Sequence, residues 1–420
     1  MTKFVETIEQ PETDAQGASV EKVYSAETHR TISPAETIAR AKPLLKKMGI
    51  TRIANVTGLD RIGIPVVMVT RPNSRSVAVS QGKGLTFEAA AASGVMEAIE
   101  TWHAERVQHP VKYTSFADLS SEYVVVDVSR LPQVRGSRFN AGLRLLWVEG
   151  EDIIQNRKAW VPYEMVHTDY THPTPSGHGC FECSTNGLAS GNHILEAQCH
   201  AICEVVERDA LSVWHNRPAD MRAGSKLALE TVDDPYCRQA LAQLAAAGLE
   251  VFVWSTINDI QVPSFFCLIV EKDNFSSHPG AGSGCHPSSG IALLRALTEA
   301  VQTRMTYISG ARDDLSPDEF ATQGIQQKHQ MVHKLAGPDP AELSFLRCPS
   351  NASGDFKSDR AWLMSCLKSV GINEIVCVDL SREEIGIPVV RVVIPGLEAP
   401  HDEDDYVPGS RAQAAARGAL

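Results

Sequence analysis

Three stretches of this chain place ionisable side chains at helical spacing, on stripes where a folded protein would ordinarily present apolar residues to its core. At 100° per residue, Glu196, His200, Glu204 and Glu207 fall at about 0, 40, 80 and 20°, so all four share one helix face. Glu97 and Glu100 stand three apart on a second helix, and Arg295, Glu299 and Gln302 follow i, i+4, i+7 spacing on a third. A single stripe of this kind would read as a solvated face. The flanks argue otherwise, because Ala197, Ala201, Ile202, Val205 and Val206 border the first stripe and Ala89 to Ala92, Val95 and Ile99 border the second. Buried carboxylates at close range repel and keep their protons unless cations neutralise them. A hard divalent cation is the simplest partner, and Mg2+ with a nucleotide's phosphates suits an all-oxygen ligand set.

Two small-residue loops could meet such phosphates. Ser80-Gln81-Gly82-Lys83-Gly84 follows a strand and precedes a helix, where backbone amides and a lysine can approach an anion. It is neither a Walker loop nor GxGxxG, and a plain glycine turn fits it equally well. Ser184-Thr185-Asn186-Gly187-Leu188-Ala189-Ser190-Gly191-Asn192 runs straight into the carboxylate helix, with Gly187 and Gly191 permitting close approach. Cys180-x-x-Cys183 and Cys199-x-x-x-Cys203, near His178, have spacings that could suit zinc. Cys199 and Cys203, however, adjoin apolar positions, where cysteine behaves as a small hydrophobe. Cys180 or Cys183 could instead be a nucleophile, although no paired base is identifiable.

Elements able to hold these residues are legible along the chain. Helices are expected over 87–107, 194–214, 238–247, 290–308 and 359–370. Another starts at Ser33, whose hydroxyl is followed by Pro34 and Glu36, and stops near Gly49. Two strands lie between Ile64 and Ser80, with a turn at Pro72 and Asn73, and others are expected over 123–128, 143–148, 251–254, 265–270, 375–378 and 389–394. Strand and helix do not alternate regularly, which points to an α+β fold. Ile62-Gly63-Ile64-Pro65-Val66-Val67 and Ile385-Gly386-Ile387-Pro388-Val389-Val390 resemble each other, each leading into a strand. Either Gly-Ile-Pro is a good strand entrance or the chain carries an old duplication.

At 420 residues, with 43% apolar and 21% charged side chains, the chain should form two or three lobes packed as one unit. Residues 1–26 read as a flexible tail, 27–398 as the folded domain, and 399–420 as an acidic loop and a frayed tail. The net charge of -12 disfavours nucleic acid and anionic membrane as partners. The longest apolar run, 262–270, is interrupted by Pro263 and Ser264, so no membrane helix is expected. The polar N-terminal stretch lacks a secretion signal, so a cytoplasmic location is expected, with most of the ten cysteines kept as thiols.

Taken in order, Ser80 to Gly84, Glu97-x-x-Glu100, Ser184 to Asn192, Glu196, Glu204-x-x-Glu207-Arg208-Asp209 and Arg295-x-x-x-Glu299 resemble the YcaO family over roughly residues 30–395. The resemblance implies ATP and Mg2+ as cofactors. It implies Glu97, Glu100, Glu196, Glu204 and Glu207 as metal and phosphate ligands, and Lys83, Asn192, Arg208, Arg295 and Glu299 around the nucleotide. Arg30 and Thr37 match nucleotide-contacting positions more loosely. The family activates a peptide-backbone amide by phosphorylating its oxygen; a neighbouring Ser, Thr or Cys then gives an azoline, while external sulfide gives a thioamide. The 57–65 stretch, with Gly310 to Asp314 and Ile394 to Glu398, looks most like members that work beside a TfuA partner and form thioamides. No proline-rich tail of the kind seen in cyclodehydratases ends the chain, and no fused peptide-binding domain precedes the family region. The resemblance therefore implies thioamidation of a peptide or protein by a homodimer, with a TfuA-like sulfide-delivery partner. Azoline formation and an accessory role in ribosomal protein modification are the alternatives.

Overall fold

The computed structural model describes residues 19–272, 274, 276–312, 315–338, 340–400 and 406–420. In chain order the elements are α1 (Pro34–Ala41), β1 (Arg52–Asn55), β2 (Val66–Thr70), β3 (Val79–Lys83), α2 (Phe87–Ala104), β4 (Val111–Ser115), α3 (Phe116–Glu122), β5 (Arg144–Asp152), β6 (Arg157–Pro162), β7 (Leu188–Ser190) and α4 (Ile194–Asn216). There follow α5 (Ala219–Gly224), β8 (Leu227–Ala228), α6 (Pro235–Ala246), β9 (Leu249–Ser255), β10 (Ser264–Glu271), β11 (Gly280–Cys285), α7 (Ser289–Ser309), α8 (Thr322–Ala336), β12 (Leu343–Ser344), α9 (Phe356–Ser369), β13 (Val376–Asp379), β14 (Val389–Val393) and α10 (Ser410–Ala416). This is an α+β fold, its sheets mainly antiparallel, and among the described residues no helix is long and apolar enough to cross a membrane.

Three units of one design make up its centre. Each is an antiparallel run of three strands followed by a helix: β1-β2-β3 with α2, β9-β10-β11 with α7, and β13-β14-β7 with α4. The third unit draws two strands from the end of the chain and its last strand and helix from the middle. Every middle strand is entered through an aliphatic residue and a proline, Ile64-Pro65, Val262-Pro263 and Ile387-Pro388. The residue before each pair has a left-handed backbone: Gly63 at φ 80°, Gln261 at 62° and Gly386 at 67°. Such a conformation costs a non-glycine residue, so Gln261 marks a turn that the unit imposes. The first middle-strand residues pair with Lys83, Cys285 and Ser190, and each helix starts four positions beyond that partner. This threefold agreement favours duplication over a convenient strand entrance.

The units close into a ring, with α2 lying against β7, α4 against β11 and α7 against β3. Glycines let two of the helices sit close to their strands. A Cβ on Gly82 would lie 1.9 Å from the Ala90 carbonyl oxygen of α2, and one on Gly284 would lie 2.1 Å from that of Ala292 on α7. The expected helices appear with ends shifted by a few residues, except the first, whose α-helical part stops at Ala41 and goes on only as a 3-10 turn over Lys42–Leu44 rather than to Gly49. Residues 123–128, expected as a strand, hold only an isolated bridge from Val125 to Trp160, and β11 was hidden by its glycines.

Outside the ring, residues 1–18 and 401–405 of the expected tail and acidic loop lie outside the described residues. Residues 19–26 run against α9, where Lys22 pairs with buried Asp359 at 2.5 Å. The expected frayed end forms α10, docked on α4. Arg411 donates to Asp209 at 2.8 and 3.0 Å and to Asp259, while the Glu398 carboxylate accepts from the backbone N–H groups of Gly409, Arg411 and Ala412. An N-terminal carboxylate of this kind satisfies amides that a helix leaves unpaired.

Candidate active site

The ring explains why three separate helices carry the charge. Counting from Lys83, Ser190 and Cys285, the same fourteen- and seventeen-residue steps reach Glu97 and Glu100 on α2, Glu204 and Glu207 on α4, and Glu299 and Gln302 on α7. Matching backbone contacts support the equivalence. Gln81 N–H points to Glu97 Oε1 at 3.4 Å, and Ser283 N–H to Glu299 Oε1 at 3.3 Å.

Neighbouring units clasp these side chains across the ring. Ser190 N–H and Oγ each donate to Glu100 Oε1 at 2.7 Å, the Ser283 hydroxyl donates to Glu207 Oε1 at 2.6 Å, and Gln302 Nε2 donates to the Gln81 carbonyl at 3.1 Å. Lys83 ion-pairs with Glu299. Burial raises the carboxyls of Glu97 and Glu204 to about 7 and that of Glu100 to about 8, with the Glu204 carboxylate adding to the rise at Glu100. Glu207 is also raised, by burial and then by Glu299. Burial would lift Glu299 too, but Lys83 holds it below the usual carboxylate range.

Cations gather beside this acid ring. His200 is kept neutral by burial and by Arg295, Arg30 and Lys83. Arg208 and Arg295 each bury an Nε–H without a partner, and Gln81 Nε2 and Gln302 Oε1 are likewise buried and unpaired. Asn192 Nδ2 donates to Thr37 Oγ1 at 3.0 Å, which joins the small-residue loop to α1. Glu196 is turned to the N-terminal segment, accepting from Thr31 N–H at 2.9 Å and Thr31 Oγ at 2.8 Å, with Arg30 Nε at 3.6 Å. Asp209, although adjacent to Arg208, faces α10.

Among the described residues no three His, Cys, Asp or Glu side chains converge tightly enough to hold a metal ion by themselves. That arrangement suits Mg2+, which takes one or two carboxylates and fills its octahedron with water and phosphate oxygens. It fits because raised carboxyls next to unpaired guanidinium donors are what a cation bound with an anionic nucleotide would satisfy together. Cys199 and Cys203 pack in an apolar cluster with Cys285, as small core residues do. Cys183, burial pushing its thiol up to about 12, is not an activated nucleophile here. Ser190, Ser283 and Thr31 are site residues that the helical stripes alone do not reveal. Ser283 becomes visible only when Gly280 to Cys285 is recognised as a third copy of the unit.

Residues 81–398 match the model of the YcaO cyclodehydratases, described as binding ATP and Mg2+. An uncharacterized protein of Rhizobium leguminosarum bv. trifolii, described by its place in the tfuA 3′ region, is 33% identical over 401 residues, covering 93% of each chain. A YcaO protein from Methanopyrus kandleri, solved with AMPPCP and Mg2+, superimposes with a TM-score of 0.73 at 22% identity, over 90% of this chain and 95% of that one. A heterocyclase solved with substrate and cofactor gives a TM-score of 0.77 at 22% identity. The match covers 91% of this chain but only 54% of the heterocyclase, so this chain spans about half its length.

Proposed function

The chain belongs to the YcaO family, and on that footing we propose that it uses ATP and Mg2+ to phosphorylate the oxygen of a peptide-backbone amide, which sulfide then converts to a thioamide. The observation that carries this reading is the ring of Glu97, Glu100, Glu204, Glu207 and Glu299 with Lys83, Arg208 and Arg295 beside it.

When bound, ATP and Mg2+ supply the phosphoryl group and the charge neutralisation that make an amide oxygen a good leaving group. Glu97, Glu100, Glu204 and Glu207, one or two to each ion, would hold Mg2+ ions once ionised, with Glu196 fixing Arg30 and Thr31 beside them. Lys83, Arg208, Arg295 and Arg30 would bind phosphate oxygens, and Glu299 orients Lys83 through their ion pair. Thr37 and Asn192, already hydrogen-bonded, would position the rest of the nucleotide. In the net reaction the amide oxygen leaves as phosphate, hydrosulfide forms the new C–S bond, and ADP is the second product. One folded domain over 27–398, with residues 19–26 and α10 packed against it, acting as a homodimer on a peptide or protein in the cytoplasm, completes the reading; a single-chain mass in light scattering would count against the dimer.

The Rhizobium relative favours sulfide over an internal nucleophile, and a TfuA-like protein is the proposed sulfide source. Incubating the chain with that partner, precursor peptide, ATP and sulfide should add about 16 Da to the peptide, the exchange of oxygen for sulfur in a phosphoryl-activated amide. A loss of about 18 Da beside a Cys, Ser or Thr, as dehydrative ring closure of the same activated amide gives, would make the protein an azoline-forming cyclodehydratase instead.

A further inference from the structure

Arg391 breaks the pattern of the ring. It stands three residues after the entrance proline of β14, where the other two middle strands carry Met68 and Phe266. Those two are buried apolar residues, and Arg391 is 2% exposed, so a buried guanidinium occupies a position that the unit fills with hydrocarbon elsewhere. Its Nη2 donates to the Ser184 carbonyl at 2.6 Å, but Nε and Nη1 are buried without partners. Among the described residues no carboxylate lies within ion-pairing distance of it. Burying a cation this way costs several kcal/mol unless a counter-charge arrives.

The side chain lines a cavity together with Asn186, whose Oδ1 is also buried and unpaired, Glu182 and Val205, the residue after Glu204. Met165 and Leu397 are among its apolar walls, and the free space takes about one or two water-sized atoms. That is too little for a phosphate or a peptide side chain. A phosphate would also call for several donors around it, whereas one guanidinium supplies most of the donors here. Burial keeps the nearby Cys183 and Tyr170 protonated, and Glu204, which lies beyond ion-pairing distance, adds only a longer-range attraction to the guanidinium.

We propose that Arg391 and this cavity form a subsite for a small, weakly hydrated monoanion, which in the reaction above is hydrosulfide. The identity of the anion rests on the thioamide reading; the existence of the subsite does not. Val205 follows Glu204 on α4, so the cavity borders the helix that carries one side of the carboxylate ring.

The test is calorimetric titration of the whole chain with sodium hydrosulfide, without oxygen, chloride, peptide or ATP. Saturable binding is expected in the wild type and at least a tenfold weaker Kd in Arg391→Gln. Ala399→Leu, which fills the cavity from its apolar wall and leaves the charge in place, should weaken binding as much. Equal binding in the wild type and both variants, or no binding in the wild type, would overturn the proposal. Because no reaction takes place, an azoline product would refute the thioamide reading and leave this result standing, while a thioamide product with no hydrosulfide binding would refute only the subsite.

Discussion

Loading the carboxylate ring should expel protons, in a number that the burial of its glutamates sets. At pH 7 Glu97 and Glu204, raised to about 7, are half protonated, and Glu100, raised to about 8, holds most of a proton. Metal ligands must be ionised, so binding Mg·ATP at pH 7 should release about two protons per chain from these three groups, to which Glu207, also raised, adds; the release grows toward lower pH and falls away near pH 9. Affinity should climb with pH up to about 8 and then level off. Stability of the metal-free chain runs the other way. The unfolded carboxyls ionise near their ordinary value while the folded ones resist, so stability is lost as pH rises from that value through about 7 to 8. Titration calorimetry in buffers of different ionisation enthalpy counts the protons directly. Glu100→Gln, which can still accept from Ser190, should lower the release at pH 7 by about one proton and raise the metal-free melting temperature at pH 8.5. A release near zero at pH 7, or one unchanged in Glu100→Gln, would refute the reasoning.

Arg411→Ala leaves Asp209 buried without its cation and should cost about 3–5 kcal/mol in denaturant unfolding, with part of the loss recovered on adding Asp209→Asn. Gly282→Ala puts a methyl 2.3 Å from the Ala296 oxygen and the Ala300 nitrogen, so β11 and α7 must separate; a melting temperature within a degree of wild type would contradict that packing. Lys83→Met removes the group that holds Glu299 ionised, and should raise the KM for ATP at least tenfold, checked by steady-state phosphate release.

The sequence exposed the chemistry better than the architecture. Glu97-x-x-Glu100 and Glu204-x-x-Glu207 are visible because helical periodicity makes a polar stripe between alanines conspicuous. The ring is not, since its third unit is assembled from β7 and α4 in mid-chain and β13 and β14 near the end, and no local pattern spans that gap. The two Gly-Ile-Pro entrances did point to the repeat, but the third copy has Gln261 and Val262 in place of glycine and isoleucine. Its left-handed backbone and its strand register reveal the match. β11 escaped for a related reason: glycines that let α7 approach also erase the alternation by which a strand is recognised. The end of the chain looked frayed because alanines carry little signal, whereas Ala412 and Ala415 are fully buried against α4.

In the proposed reaction the oxygen of a backbone amide leaves as phosphate at this carboxylate ring. The most direct test of this uses a precursor peptide with an 18O label in the backbone carbonyl, incubated with the chain, its partner, ATP, Mg2+ and sulfide. Mass analysis should find the label in the released phosphate, one labelled phosphate for each amide converted, and none from Glu204→Gln or Glu207→Gln. Label appearing in water while the released phosphate stays unlabelled would contradict the account.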